Sequence, residues 1–144
     1  MIEKIFHKKK FLALIVRGKY RKKKGVTFFT PNESTQQFGY MKHNSKHIIK
    51  PHLHKKRLTK IYYTSEVILL LKGLLRVDFY NQHKKYLFSK ILKPNDIIML
   101  VSGGHGFKVL KNVEMLEIKQ GPYNLLKDKV KFDNVKDNFI KIKK

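Results

Sequence analysis

Two histidines one residue apart, His52 and His54, lie in the stretch Ile48 to Gly73, IIKPHLHKKRLTKIYYTSEVILLLKG, ahead of a lone carboxylate, Glu66. Side chains two apart on a β-strand point to one face, so both imidazoles can line one cavity. A neighbouring antiparallel strand can bring Glu66 beside them, and His105 in SGGHGF can complete the set. Two or three imidazoles with one carboxylate are the donor set of a divalent-metal site. Glu66 heads VILLL, the most apolar run in the chain. A carboxylate buried there alone costs on the order of several kcal/mol, so it needs a partner: a metal, Arg57 or Arg76. Gly104 and Gly106 flank His105 and permit close backbone approach.

Other residue types could also do chemistry. Met115, Glu117 and Lys119 share one face of an expected last strand, and Tyr123 follows at a Gly-Pro turn. A Glu–Lys pair in an apolar barrel can serve as acid and base, or it can be an ordinary surface ion pair. Arg57, Tyr62 and Tyr63 can orient an anionic or sugar ligand at a barrel mouth. The same residues can equally be aromatic packing beside a solvated arginine.

The elements that would position these groups are short strands. Phe11 to Val16 reads as a buried strand stopped by Gly18, followed by a basic turn over 21–25. Val26 to Thr30 is β-prone and ends at the turn signal Pro31-Asn32. Gln37 to Met41 is a third strand. His47 to His54 returns to strand character with Pro51 inside it, the mark of an edge or a bulge. Ile61 to Thr64 is β-prone, and Glu66 to Lys72 is a strong strand. Leu74 to Tyr80 and Tyr86 to Leu92 flank a turn at 81–84, and Lys93 to Asp96 turns again into Ile97 to Val101. Phe107 to Leu110 and Glu114 to Lys119 pair around Lys111-Asn112. About ten strands at roughly 8–12-residue spacing predict an all-β sandwich or barrel. No segment carries sustained helical periodicity. The expected organisation is one domain over residues 1–123, its N-terminal strands 11–41 included, with a lysine-rich, irregular tail over 124–144.

Composition narrows the class. The 144 residues are 42% hydrophobic, enough to form a core despite the charge. With no cysteine there is neither a disulfide nor a thiolate site. The apolar run Val67 to Leu71 is far too short to cross a bilayer. Lysines precede Phe11 to Val16, but Arg17 follows at once without a small-residue cleavage site, so a cytoplasmic location is expected. The net charge is +23, carried by 33 basic residues of which only positions 17, 21, 57 and 76 are arginine. Sequence-specific nucleic-acid readers favour arginine. Together with abundant Ile and Asn, the lysines fit a bias toward A/T-rich codons. They also fit a surface that attracts phosphorylated small molecules or nucleic acid.

His52, His54, Glu66 and Gly73 resemble the first motif of the cupin superfamily: two histidines one residue apart, then a glutamate, then a glycine seven residues on. The approach from Asn95-Asp96 through Gly103 to His105 is similar to the second motif. The 11 residues between His54 and Glu66 exceed the family's usual gap, and Ser102 stands near its expected proline. The resemblance implies a single-domain jelly-roll β-barrel. It also implies one divalent metal ion (Zn, Fe, Mn or Ni) on His52, His54, Glu66 and His105, and a homodimer. The segment GGHGFKVL–EMLEIKQGPY is similar to small cupins found with bacterial sugar-nucleotide and surface-polysaccharide genes. The function expected is metal-dependent isomerase or epimerase chemistry on a sugar or sugar nucleotide. A non-catalytic sugar- or effector-binding barrel and a basic β-domain binding nucleic acid are the alternatives.

Overall fold

In the computed structural model, residues 1–22, 24–124 and 128–144 are described; Lys23 of the expected basic turn and residues 125–127 of the tail lie outside them. The chain divides into two compact units, Met1–Tyr20 with Tyr63–Lys144, and Arg21–Tyr62. The all-β architecture read from the sequence is the one adopted. Among the described residues the only helical element is a single 3-10 turn, Asp137–Phe139, and no helix is long and apolar enough to cross a membrane.

The first unit is one antiparallel sheet of six strands: β1 (Ile2–His7), β2 (Lys10–Val16), β5 (Glu66–Tyr80), β6 (Tyr86–Leu92), β7 (Ile97–Leu100) and β8 (Gly104–Lys119). The second unit holds β3 (Gly25–Phe28) and β4 (Gly39–Lys42). In the first, the strands run β1-β2-β7-β5-β6, and β8 pairs with β5 along nearly its whole length. The two halves of β5 have different neighbours: Glu66 to Leu69 pair with β7, whereas Leu75 to Tyr80 pair with β6.

The change of neighbour occurs at a bulge. Register against β8 shifts three times between Leu70 and Leu75. The core-facing residues change there from Ile68 and Leu70 to Leu75, Val77 and Phe79, a switch of parity along the strand. Gly73 takes φ 89°, and a Cβ built on it would lie 2.0 Å from the Asn112 carbonyl oxygen and 2.5 Å from that of Lys111. Only glycine fits such an approach. Gly73 was expected to end a strand and Lys111-Asn112 to form a turn. Instead they oppose each other in two continuous long strands.

Ile5, Ala13, Ile15, Ile68, Leu75, Val77, Ile98 and Leu100 build the core with Leu92 and the Phe79–Phe88 ring pair, whose centroids are 5.3 Å apart. The outer face of the β5–β6 half is covered by the C-terminal segment. There Val135 N–H donates to the Tyr80 hydroxyl (3.1 Å), and Phe132 meets the Tyr80 ring edge-on. Lys141 and Lys143 bond the backbone of Ser89. The tail is therefore a packed arm where it is described.

In the second unit Thr30 Oγ1 donates to Gln37 and accepts from Phe38 N–H, while Phe29 and Phe38 meet edge-on. The strand expected over His47 to His54 is not formed. Residues 43–65 contain no strand, and 44–64 are exposed throughout. The β-prone side chains there find no ladder partner, and Pro51 removes a donor. Ile61 to Thr64 stays irregular for the same reason. β1 was not foreseen, because IEKIFH alternates only weakly.

Gly73→Ala is expected to lower stability by at least about 2 kcal/mol, since strain and a backbone clash coincide. Gly25→Ala, also at positive φ but with nothing within 4 Å, should cost about 1 kcal/mol. Urea unfolding of both variants checks the ordering; equal losses would remove the bulge from its structural role.

Candidate functional site

Glu66 opens β5 and His105 lies in the second position of β8, at opposite ends of the same strand pair. In the ladder Glu66 stands across from Lys119, and His105 from Phe79. Thirteen residues of extended strand would span about 43 Å. Yet His105 Nε2 lies 3.0 Å from Glu66 Oε2. The β5–β8 pair must therefore fold back across its own inner face, and the kink at Gly73 is where it can do so. A second side-chain contact spans the same curled sheet. Lys90 of β6 reaches Glu3 of β1 at 2.6 Å, joining the two end strands of the five-strand path.

The Glu66 side chain is 7% exposed and the His105 ring 26% exposed. Lys129 Nζ approaches the other Glu66 oxygen at 3.4 Å. The hydrogen bond from His105 holds the Glu66 carboxyl down at about 2, against the cost of burial and with help from the charges of His105 and Lys129. The carboxylate is thus ionised at neutral pH. The ionised carboxylate can only accept, so Nε2 is the donor of this bond and Nδ1 is the ring nitrogen not bonded to Glu66. An imidazole oriented by a carboxylate is the arrangement of a general base.

The remaining expected residues are placed as follows. His52 and His54 belong to the second unit and are exposed. Their rings meet edge-on at 5.2 Å, and His52 Nδ1 lies 2.9 Å from the Lys50 carbonyl. Without a strand beneath them, the alternation argument for a shared cavity no longer applies. Among the described residues, no three His, Cys, Asp or Glu side chains form a group that could hold a metal ion. Glu66 finds His105 and Lys129 as partners. Arg57 is an exposed residue of the second unit, and Arg76 forms a fork with Asp78 instead (2.8 and 3.1 Å).

Glu117 is exposed, and among the described residues no ion pair joins it to Lys119. Lys119 instead stacks its ammonium 4.5 Å from the centroid of Tyr123. Tyr62 is exposed, 5.1 Å from the Lys60 ammonium. Tyr63, in the first unit, accepts hydrogen bonds from Lys10 and Gln82; these lower its phenol from the ordinary value.

Sequence reasoning missed Lys129 and the ion network around Arg17. Arg17 pairs with Glu3 (2.6 Å) and Asp96 (2.8 Å) and donates to the Ile91 carbonyl. Asp96 also accepts from the backbone of Gly18 and Lys93. Arg76 and Asp78 were legible in principle, because charges two apart on a strand share a face. No protein family, curated protein or solved structure matches the chain.

The lowered Glu66 value fixes a sign. Its ionised form stabilises the fold above the unfolded value near 4.5, and that contribution is lost as pH falls toward about 2. Urea midpoints measured at pH 6, 4 and 2.5 should fall more steeply for the parent than for Glu66→Gln; parallel curves would mean that the pair contributes nothing.

Proposed function

We propose that the protein is a small cupin-like barrel that takes a polar, sugar-like metabolite against the inner face of its sheet, with His105, oriented by Glu66, moving a proton on it. The observation that carries this reading is the 3.0 Å contact between a buried carboxylate and a half-buried imidazole. The chemistry that fits is isomerisation or epimerisation of a sugar or sugar nucleotide. Nδ1 of His105 takes a proton from the carbon next to a carbonyl, and the C–H electron pair passes into an enediolate. The proton returns to the neighbouring carbon or to the opposite face. No electrons leave the substrate, so no oxidant or reductant is needed. An ammonium such as Lys129 can balance the developing oxyanion.

Solvent exchange tests this directly. Incubating the full chain with a panel of sugars and sugar nucleotides in D2O should put deuterium beside the carbonyl of at least one. His105→Ala should slow the exchange by about 10²–10⁴-fold and Glu66→Gln by a smaller factor. Binding without any exchange would favour the non-catalytic barrel. The divalent-metal reading requires the Glu66–His105 bond to open, since a donating Nε2 has no lone pair for an ion. About one divalent ion per chain in protein purified without a histidine tag, lost in His52→Ala, would replace acid–base catalysis by Lewis-acid catalysis.

A homodimer belongs to the same proposal. Among the described residues β8 pairs only with β5, which leaves one edge of a 16-residue strand without a ladder partner there. Phe107, Val109, Leu110, Met115, Leu116 and Ile118 are exposed along it. Light scattering should give twice the 17.1 kDa chain mass, and a monomer mass would contradict it.

A further inference from the structure

The first unit has a concavity formed by two hairpins. His7, Lys8, Lys9 and Lys10 come from the tip of the β1–β2 hairpin, and Asn81, Gln82 and His83 from the turn joining β5 to β6. Leu12 forms its apolar floor, and the volume is about 530 Å³. That size suits a small molecule and well exceeds a single phosphate. Among the described residues its lining includes three lysines and two histidines and no acidic residue.

The charge at this place is not neutralised by the protein. Among the described residues, none of Lys8, Lys9 and Lys10 is paired with a carboxylate. Three adjacent cations at the rim of a cavity repel one another and focus a positive potential into it. The backbone adds to the cost, because Lys8 takes φ 53° at a hairpin position where glycine is the ordinary occupant. A strained backbone and three lysines without a carboxylate partner in one hairpin suit an anionic ligand that supplies the missing counter-charge.

The walls are also pre-set. Asn81 Oδ1 accepts from the backbone N–H of His83 (2.9 Å) and Lys85 (3.0 Å), fixing the second turn. The Tyr63 hydroxyl accepts from Lys10 of one turn and Gln82 of the other, at 3.4 and 3.0 Å, and so ties the two together. We infer that this cavity binds a small molecule carrying a diphosphate group, with the lysines of the first turn and His83 of the second holding the phosphate oxygens. A concave site between two pinned turns suits a compact polyanion better than the continuous backbone of a nucleic acid, which tracks a long groove. The inference is independent of the Glu66–His105 reading, since none of the lining residues belongs to that pair.

Inorganic pyrophosphate is the probe. Isothermal titration of the full chain at fixed ionic strength should show one site per chain, with orthophosphate at least tenfold weaker. Lys8→Gln/Lys10→Gln should weaken pyrophosphate at least tenfold. The charge-matched control Lys4→Gln/Lys111→Gln, on residues outside the cavity, should change it less than twofold. Circular dichroism confirms that both variants are folded. Absence of pyrophosphate binding, or equal weakening in both double variants, would overturn the inference. So would duplex DNA binding more tightly than pyrophosphate, with a steep salt dependence, through the same lysines.

Discussion

A single point of backbone crowding governs this sheet: the passage of Gly73 against the carbonyls of Lys111 and Asn112. No side chain can occupy that space. Because β5 turns there, it pairs with β7 before the bend and with β6 after it. The inward-facing parity switches at the same place, so the apolar residues on both sides of the bend still address one core. An unbent strand of this length would carry Glu66 and His105 far beyond each other's reach. The bend makes them neighbours, and so the chemistry proposed for the pair depends on a residue that touches neither.

The scarcity of acid groups shapes the rest. Ten carboxylates face 33 basic side chains, and the least exposed acids are committed to holding strands together. Glu3 joins β1 to Arg17 and Lys90, Asp96 fixes the turn before β7, and Asp78 locks Arg76 under the C-terminal arm. Burial alone would raise Glu3, but its bonds to Arg17 and Lys90 outweigh that and leave it lowered. Buried pairs of this kind contribute modestly when intact and cost heavily when one partner is removed. With the acids used this way, the lysines of the first hairpin have no carboxylate partner among the described residues.

Much of the fold was legible in the sequence because strand alternation and turn residues are local signals. The turns at 81–84 and 93–96 fall where Asn and Lys-Pro-Asn-Asp place them. Glu66 was legible as a buried acid needing a partner, and His105 as a histidine on a close-packed backbone. What local signals could not supply is continuity. A glycine at 73 reads as a terminator unless one knows that another backbone lies against it. The strand expected at His47 to His54 failed for a related reason: β-propensity there has no effect without a neighbouring strand to bond, and that is a tertiary matter. Lys129 was one lysine among many until the arm brought it to Glu66.

The register of the sheet has a bearing on how the protein is made. Ala13 to Val16 pair on one side with β1, which is synthesised with them, and on the other with β7, where Ala13 meets Leu100. The first hairpin therefore leaves the ribosome with one edge and its aliphatic face uncovered, and most of the chain must follow before either is satisfied. Non-local pairing of this kind slows folding and prolongs exposure of sticky surface. Nascent chains stalled before residue 97 are thus the form of this molecule most in need of a chaperone.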